Sequence, residues 1–252
     1  MSQTPLIDLH CHLLPGIDDG AKNIDISMEL LGRQQQQGVQ AVMFTPHFYY
    51  ERDDLDHFVQ RRRRAYRQTA RAAKEQNLQI AAKLGAEVYL SPALPSLDLS
   101  ALAFAGTHYI LIELSTTHHP AGIEETLFDI MQQGYTPILA HVERYPYVTE
   151  DPTLLYQWVE AGALAQINAS GLIRGGQTAR VLNRYIKWNL VHLLCSDAHS
   201  LNHRPPNLAE GYKHLPASLV AQFQRNALDI FLGRELDVPE PTEPRYRLGQ
   251  WV

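Results

Sequence analysis

The sequence predicts an α/β fold, a single domain in which seven strands form one distorted barrel. Short apolar runs alternate with longer helix-like stretches along the chain. Because a strand followed by a crossover helix is the repeating unit of a parallel sheet, this alternation predicts parallel strands. Seven such units in 252 residues fit a closed, barrel-like fold better than an open sheet. No long linker divides the chain, so we expect one domain over residues 1–252, with a core over about residues 6–235 and a C-terminal tail over residues 236–252.

Hydrophobic periodicity and the positions of turn residues predict where each strand and helix begins and ends. The first strand ends at His10, and the helix after it ends before Gly38, which suits the left-handed position beyond a helix. Strands are predicted over residues 6–10, 39–45, 78–84, 109–112, 136–140, 163–168 and 190–194, and helices over 25–37, 54–76, 122–133, 152–161, 177–188 and 217–232.

Composition excludes several classes of protein. Hydrophobic residues make up 45% and charged residues 19%, which argues against disorder, and the net charge of −5 argues against a nucleic-acid binder. The N-terminus lacks the basic and apolar regions of a signal peptide, and no apolar run approaches the roughly 20 residues of a membrane span. Cys11 and Cys195 cannot form a disulfide framework, so we expect a reduced, cytoplasmic location without membrane insertion.

The first strand ends in two histidines that could hold a metal ion. His10 and His12 are two residues apart, so in a strand their imidazoles point to the same side. A His-x-His pair alone is more often incidental than metal-binding. The other strand ends decide the interpretation.

Ligand-type side chains terminate most of the predicted strands. They are His10, His12, His47, Glu87, Glu113, His141, Asp197 and His199, with Asp19 in the first loop. The carboxyl ends of the strands open on one face of a parallel barrel, so these nine groups converge. Any one of them could be a hydrogen-bonded buried histidine or a helix cap. Several carboxylates leaving buried strands together would be costly without a neutralising cation.

The types of ligand indicate which metals would bind. Mixed imidazole and carboxylate ligands without a thiolate cluster suit manganese, iron or zinc. Nine ligands are too many for one ion and suit two or three ions that share a bridging carboxylate. Clusters of this kind activate water as hydroxide and bind the oxygens of a phosphate during in-line displacement.

Two arginines follow ligand residues at short distance. Arg144 lies three residues after His141, and Arg204 lies five residues after His199. Because a guanidinium can bind two phosphate oxygens at once, both arginines could orient a phosphoryl group at the metals. Salt bridges at the protein surface are the alternative.

A run of arginines falls in the second predicted helix. Arg61 to Arg64, with Arg67 and Arg71, could indicate an RNA or an acidic protein partner. In a helix the four consecutive side chains wrap around the surface. With a net charge of −5 we favour a solvated helix face, and docking of an acidic protein tail stays open.

The sequence motifs resemble those of the polymerase and histidinol phosphatase (PHP) superfamily, and within it the bacterial manganese-dependent tyrosine-protein phosphatases of the CpsB/YwqE type. The resemblance covers about residues 6 to 235. Its motifs are Asp8-Leu9-His10-Cys11-His12, Asp18-Asp19-Gly20, Thr45-Pro46-His47, Gly85-Ala86-Glu87-Val88-Tyr89, Ile112-Glu113, His141-Val142-Glu143-Arg144-Tyr145, Ser196-Asp197-Ala198-His199 and Arg204-Pro205-Pro206.

The resemblance implies a distorted (β/α)7 TIM-like barrel of the PHP type with three divalent metal ions, manganese first and iron or zinc as alternatives. Arg144 and Arg204 would be the catalytic residues that hold the phosphate. The first ion would be bound by His10, His12, Glu87 and Asp197, the second by Glu87, Glu113 and His141, and the third by Asp19, His47 and His199.

The function implied by the resemblance is hydrolysis of phosphotyrosine, with a hydroxide on the metals attacking phosphorus. The expected substrate is the phosphotyrosine-containing tail of a bacterial tyrosine autokinase that controls capsular or exopolysaccharide biosynthesis. The alternatives are a small-molecule phosphatase, such as one for histidinol phosphate, and a non-catalytic module that binds a kinase tail. A nuclease is least compatible with the acidic composition. The sequence does not predict an oligomeric state.

Overall fold

The computed structural model describes residues 4–252 and shows an α/β domain built on parallel strands. The strands are β1 Leu6–Cys11, β2 Val39–Phe44, β3 His47–Phe48, β4 Ala81–Leu84, β5 Glu87–Tyr89, β6 Tyr109–Glu113, β7 Thr136–Leu139, β8 Leu164–Asn168, β9 Leu193–Cys195, β10 Tyr246–Arg247 and β11 Gln250–Trp251. The helices are α1 Ile24–Gln36, α2 Leu55–Glu75, α3 Ile123–Gln132, α4 Pro146–Glu150, α5 Thr153–Glu160, α6 Ala169–Arg174, α7 Gly176–Lys187, α8 Leu208–Lys213 and α9 Ala217–Leu232.

The parallel strands fall into two sheets, ordered β1-β2-β4 and β3-β5-β6-β7-β8-β9. The split lies at Pro46, which follows the second predicted strand and separates β2 from β3, because proline has no N–H for the ladder. Pairing continues across the break, since the Gly85 N–H donates to the Phe44 carbonyl at 2.8 Å and the Glu87 N–H donates to the Pro46 carbonyl at 3.1 Å. The prediction of an α/β fold with parallel strands is confirmed.

The first strand also contacts the segment that follows the last parallel strand. Cys11 forms a parallel bridge with Ala198, and the Asp197 N–H donates to the His10 carbonyl at 3.0 Å. These bonds bring the two ends of the strand order together. Closure into a complete barrel stays a prediction.

The strands are packed on both sides by apolar clusters. Alternate strand residues such as Leu9, Met43 and Leu111 form an inner cluster, which Ile230 and Phe231 of α9 cover. The larger cluster lies between the strands and the surrounding helices. Polar side chains can therefore gather at the carboxyl ends of the strands, beyond the inner cluster.

A bulge in β1 changes the direction of its last side chains. Asp8 pairs with Val42 and Cys11 pairs with Phe44. Between these two pairs β1 advances by three residues, whereas β2 advances by two. Such an extra residue reverses the alternation of a strand. Leu9 therefore lies in the inner cluster and Cys11 in the outer one.

The C-terminal tail packs against the domain, a point that the sequence left open. The Asn189 side-chain amide donates to the Glu240 carbonyl at 3.0 Å, and the indole N–H of Trp251 donates to the Glu150 carbonyl at 3.0 Å. Strands β10 and β11 form a short antiparallel hairpin. The short helices α4, α6 and α8 and the short strands β3 and β5 were absent from the prediction.

The predicted solvated face of the arginine run is wrong for Arg62. This side chain is 5% exposed, and its guanidinium donates to the carbonyls of Gly85 and Ala101, each at 2.6 Å. The guanidinium also lies 5.1 Å from the ring centroid of Phe58. Burial, and to a smaller extent the charge of Arg63, lowers the pKa of Arg62 to about 10. Arg62 therefore attaches α2 to the strand junction that precedes Glu87.

We expect the substitution Arg62→Lys to lower the free energy of unfolding by about 1–3 kcal/mol, because an ammonium group cannot bond both carbonyls and also contact the Phe58 ring as the guanidinium does. Urea unfolding measures the change. The matched control is Arg63→Lys at the neighbouring exposed position, which should shift stability by less than about 0.5 kcal/mol. Equal unfolding midpoints for the two variants would contradict the structural role of Arg62.

His192 is a buried imidazole remote from the strand ends that carry the ligands. It is 2% exposed, and its Nδ1 accepts a hydrogen bond from the Ala165 N–H at 3.0 Å. Burial lowers the pKa of His192 from 6.5 to about 4. Between these two pH values the unfolded chain binds the proton and the folded chain does not, so acid favours unfolding in this window.

The substitution His192→Asn should therefore weaken the loss of stability between pH 7.5 and pH 5 by about 2 kcal/mol. Asparagine retains an acceptor for the Ala165 N–H and has no proton to gain. Urea unfolding of both proteins at the two pH values isolates the difference, because any packing cost of the variant is the same at each pH. Parallel pH profiles would disprove this assignment.

Candidate metal centre

All nine predicted ligand residues meet at the carboxyl ends of the strands. Most are buried, whereas His47 is partly exposed and the Asp19 side chain is 59% exposed. Three groups have ligand atoms within 4.8 Å of one another: His10, His12 and Asp197; His47, Glu87 and Glu113; and His12, Asp19, His47 and His199. His141 lies outside these groups, but its Nε2 is 2.8 Å from Glu87 Oε1 and 3.5 Å from Glu113 Oε1.

Hydrogen bonds determine which nitrogen of His10 carries a proton in the neutral ring. Gln166 Oε1 accepts from the His141 backbone N–H at 2.8 Å, which identifies this atom as the amide oxygen. His10 Nδ1 lies 3.0 Å from the same oxygen and must donate to it. The Nε2 lone pair of His10 is then directed at the cluster.

His12 is oriented in the same way by Asp18. The His12 Nδ1 lies 2.7 Å from the Asp18 carboxylate, which leaves its Nε2 as the free nitrogen. The two Nε2 atoms of His10 and His12 are only 3.1 Å apart. Two lone pairs at this distance repel unless a cation or a proton lies at them.

A similar arrangement surrounds Asp19. His199 Nδ1 donates to the Asp197 carbonyl at 2.8 Å, so its Nε2 lone pair faces Asp19 Oδ1 at 3.3 Å. His47 Nε2 lies 3.4 Å from the same oxygen. Asp19 Oδ2 accepts from Arg204 at 2.7 Å, which leaves Oδ1 for the imidazoles or a cation.

Glu87 connects the groups. Its two oxygens lie 3.0–3.3 Å from nitrogens of His10, His12 and His47. Burial alone would raise the pKa of Glu87, but the charges of His10 and His47 outweigh it and hold the pKa well below its ordinary value. Burial and the charge of Glu87 instead raise the pKa of Glu113.

The same buried charges also shift the pKa values of His12 and His199. Burial lowers the pKa of His12, but Asp18 and Glu87 outweigh burial and raise it well above 6.5. Burial and His12 lower the pKa of His199 to about 4. In the absence of other cations His12 therefore takes up a proton, which a metal ion at its Nε2 would displace, whereas His199 stays neutral.

Two ligand residues have left-handed backbone. The φ angles are 33° at His141 and 52° at Asp197, a conformation uncommon for side chains other than Asn, Asp, His and Gly. Both residues come directly after or close to the end of a strand, where this turn directs the side chain inward. Such conformations concentrate at functional sites.

A cavity of about 600 Å³ opens over the cluster. Arg144 and Arg204 both line it, and their guanidinium groups lie 3.7 and 3.8 Å from Asp197 Oδ2. The two predicted arginines thus approach the ligand cluster from two segments, a short 3-10 helix over Val142–Arg144 and the loop that contains Arg204. Both are partly exposed and accessible from the cavity.

The donor set fits a metal centre by its own chemistry. Several buried polar atoms that face the cluster have no hydrogen-bond partner in the part of the chain that the structure describes, namely His47 Nδ1, Glu87 Oε2, Asp197 Oδ1 and His199 Nε2. Buried donors and acceptors without partners are costly, and coordination to a divalent ion would satisfy the oxygen and nitrogen lone pairs.

Comparison with known proteins agrees with this geometry. The profile of the family described as "Capsular polysaccharide synthesis, CpsB/CapC" matches residues 6–229. The chain belongs to the CpsB/CapC family. The predicted resemblance to this type of protein is confirmed.

Relatives of this CpsB/CapC chain carry the name tyrosine-protein phosphatase. It is 30% identical to the tyrosine-protein phosphatase YwqE of Bacillus subtilis, over 95% of this chain and 96% of that protein. It is 28% identical to the putative tyrosine-protein phosphatase CapC of Staphylococcus aureus, over 79% of each. Its structure matches one solved in a study of YwqE and of CpsB from Streptococcus pneumoniae, described as metal-dependent tyrosine phosphatases, with a TM-score of 0.88 and 29% identity, over 96% of this chain and all of that one.

More distant structures share only the fold. An amidohydrolase from Mycoplasma synoviae has a TM-score of 0.57 and a lactonase from Listeria monocytogenes one of 0.55, each at 11% identity. These neighbours are TIM-barrel-like. Within the described residues, no helix is long and apolar enough to cross a membrane.

The sequence prediction missed the polar residues behind the ligands. Gln166 Nε2 donates to Asn168 Oδ1 at 2.8 Å, and Asn168 Nδ2 donates to Asp197 Oδ2 at 2.8 Å. This chain of bonds links the His10 ring to the Asp197 carboxylate. The signal was present, because two polar residues at alternate positions of an otherwise apolar strand indicate one polar side.

Asp8 is a second missed residue of this kind. Its carboxylate accepts from the Ser196 N–H at 3.0 Å, from the Ser196 hydroxyl and from the Gln34 side-chain amide. It therefore ties β1 to the segment that contains Asp197. The cavity also has wall residues that the sequence did not indicate, namely Tyr49, Asn168, Ser170, Ile173, Arg174 and Asn207.

We expect Gln166→Leu to weaken manganese binding about 10- to 100-fold, because the His10 ring and the His141 N–H lose their common acceptor. Titration calorimetry with Mn²⁺ measures the affinity. The matched control is Gln157→Leu on the exposed side of α5, which should bind Mn²⁺ as the unaltered chain does. Unchanged affinity in Gln166→Leu would show that this amide does not orient the ligands.

Proposed function

We propose that this chain is a metal-dependent protein-tyrosine phosphatase that acts on the phosphotyrosine tail of a bacterial tyrosine autokinase controlling capsular or exopolysaccharide biosynthesis. The observation that carries the proposal is the meeting of nine ligand residues and two arginines at one cavity, in a member of a family whose relatives are named tyrosine-protein phosphatases. The same names favour phosphotyrosine over histidinol phosphate as the substrate.

The proposed centre holds three divalent ions, with manganese preferred and iron or zinc as alternatives. Bound there, the ions would lower the pKa of a coordinated water and polarise the phosphoryl oxygens. The proposed ligands are His10, His12, Glu87 and Asp197 for the first ion, Glu87, Glu113 and His141 for the second, and Asp19, His47 and His199 for the third. The close groups of ligand atoms support the first and third sets, and the His141 distances to Glu87 and Glu113 support the second.

Arg144 and Arg204 are the proposed catalytic residues. Each guanidinium has N–H groups that its contact with a carboxylate does not use, and both line the cavity. These N–H groups can bind phosphoryl oxygens in pairs and stabilise the charge that develops on them. Arg204 also orients Asp19, so it connects the phosphate position to the ligand cluster.

The cysteines do not supply a nucleophile. Cys11 and Cys195 are at most 1% exposed, and burial raises the pKa of both thiols well above the ordinary value. Since the thiolate is the reactive form, neither can attack phosphorus. This supports a reaction without a phosphocysteine intermediate.

The proposal extends to the architecture and location of the chain. We infer a distorted (β/α)7 TIM-like barrel of the PHP type as one domain over residues 1–252. The hydrogen bonds between β1 and the segment after β9 and the TIM-barrel-like neighbours support it. A cytoplasmic location agrees with a kinase tail as substrate.

The test compares substrates and metals in one assay. The metal-stripped protein, restored with Mn²⁺, should release phosphate from a phosphotyrosine peptide and not from histidinol phosphate. EDTA should lower the rate at least 100-fold, because the ligand cluster alone cannot activate water. Phosphatase activity that survives EDTA would refute the metal mechanism. A preference for histidinol phosphate would assign the chain to small-molecule metabolism.

A further inference from the structure

Helix α2 has a charge opposite to that of the rest of the chain. Its 21 residues contain seven basic and two acidic side chains, a net charge of +5. The whole chain carries −5, which leaves −10 for everything outside this helix. Such an asymmetry within one domain is typical of a surface that meets a charged partner.

Five of the seven basic side chains lie on the outer face of α2, opposite the side that packs on the domain. The helix buries Phe58, Arg62, Ala65 and Thr69, which repeat at helical spacing. The basic residues of the opposite face are all exposed, and helical geometry places them within about 100° of arc and over about 16 Å. We call this set the basic stripe: Arg63, Arg64, Arg67, Arg71 and Lys74.

The basic stripe is poorly neutralised by the chain itself. Arg71 pairs with Glu75 at 2.9 Å, whereas Arg63, Arg64 and Arg67 have no acidic partner within 4.0 Å among residues 4–252. Arg63, Arg67 and Arg71 follow one another at i, i+4 spacing, where like charges repel. An anionic partner would relieve this repulsion.

The basic stripe is also held in a fixed relation to the cavity. Arg62 attaches α2 to Gly85 and Ala101 through two hydrogen bonds. Tyr49 lines the cavity, and α2 begins after the Asp54 cap, five residues further along the chain. The helix rise puts Arg63 about 14 Å from Asp54.

We propose that the basic stripe docks an acidic segment of the phosphotyrosine-bearing protein while the phosphotyrosine occupies the cavity. This inference rests on the proposed function. An extended peptide rises about 3.3 Å per residue, so about five residues cover the stripe and about four more reach from the stripe to the start of α2. The docked acidic residues therefore lie several positions away from the phosphotyrosine.

The dimensions of the stripe favour a polypeptide over other polyanions. The stripe is one helix face wide, and the other exposed positions of α2 over residues 60–74 are Gln60, Gln68 and Ala70. This face therefore offers no aromatic side chain for base stacking and no large apolar side chain for insertion into lipid. The negative charge of the rest of the chain would repel an extended nucleic acid or an anionic membrane. A single acidic peptide needs only the stripe.

The first measurement is direct binding, which does not depend on catalysis. A fluorescein-labelled peptide of six glutamates should bind the Mn²⁺-loaded protein, and the matched peptide of six glutamines should not. The double variant Arg64→Glu with Arg67→Glu should bind the glutamate peptide at least fivefold more weakly. The control Arg64→Lys with Arg67→Lys keeps the charge and should bind within twofold of the unaltered chain.

This variant is chosen to keep the fold. Arg64 and Arg67 are exposed and lie outside the ligand cluster and the cavity walls. A glutamate at position 67 gains favourable i, i+4 neighbours in Arg63 and Arg71. Raising salt from 50 to 300 mM should weaken binding to the unaltered chain, because exposed charges are screened over about 10 Å at 0.1 M.

The second measurement separates docking from chemistry. The glutamate variant should hydrolyse p-nitrophenyl phosphate at the normal rate. Its KM should rise at least fivefold, with kcat unchanged, for a peptide whose glutamates are joined to the phosphotyrosine by a flexible spacer longer than the four residues that reach the start of α2. The same peptide with glutamines should show no difference between the two proteins.

The outcomes are distinct for the two proposals. If no substrate is hydrolysed, the proposed function fails, and the binding measurement still decides docking. If hydrolysis occurs but the glutamate variant binds and hydrolyses the acidic peptide normally, docking is overturned. Equal loss of activity on p-nitrophenyl phosphate would also overturn it, as would tighter binding of an RNA oligonucleotide or of phosphatidylglycerol vesicles than of the acidic peptide.

Discussion

The structure depends on one electrostatic constraint: lone pairs and carboxylates of the strand ends are buried face to face. The Nε2 atoms of His10 and His12 are 3.1 Å apart because Gln166 and Asp18 occupy the other nitrogens of the two rings. Without positive charge this arrangement would be unfavourable in a buried site. The buried cluster is therefore stable only when protons or metal ions neutralise it.

The backbone is shaped to produce this convergence. The bulge in β1 directs the two histidines to the mouth of the strands, and the left-handed turns at His141 and Asp197 direct two more ligands inward. The inner apolar cluster, covered by α9, supports the same strands from the opposite end. The strands thus have an apolar half that stabilises the fold and a polar half that carries the chemistry.

Much of the site could be predicted from the sequence because its signals are local. Histidines and carboxylates directly after apolar runs mark strand ends, and parallel strands bring such ends together without further information. The bonds of Gln166 to His10, of Asn168 to Asp197 and of Asp8 to Ser196 were missed, since these partners lie far away in sequence. The polar alternation of Gln166 and Asn168 indicates one polar side of the strand but does not show which ligands lie there. The bulge in β1 depends on the register with β2, which hydrophobic pattern alone does not show. Arg62 was missed for a related reason: four consecutive arginines look alike until the packing partner of the helix is known.

The left-handed backbone at His141 and Asp197 also limits how the centre could be re-engineered. Asn, Asp, His and Gly adopt positive φ at low cost, whereas other side chains pay roughly 1–2 kcal/mol. A thiolate ligand for softer metals would therefore be strained at these two positions. His47 and Glu113 have negative φ angles and accept a wider range of side chains. The metal preference of this scaffold can therefore be redesigned more readily at His47 and Glu113 than at His141 and Asp197.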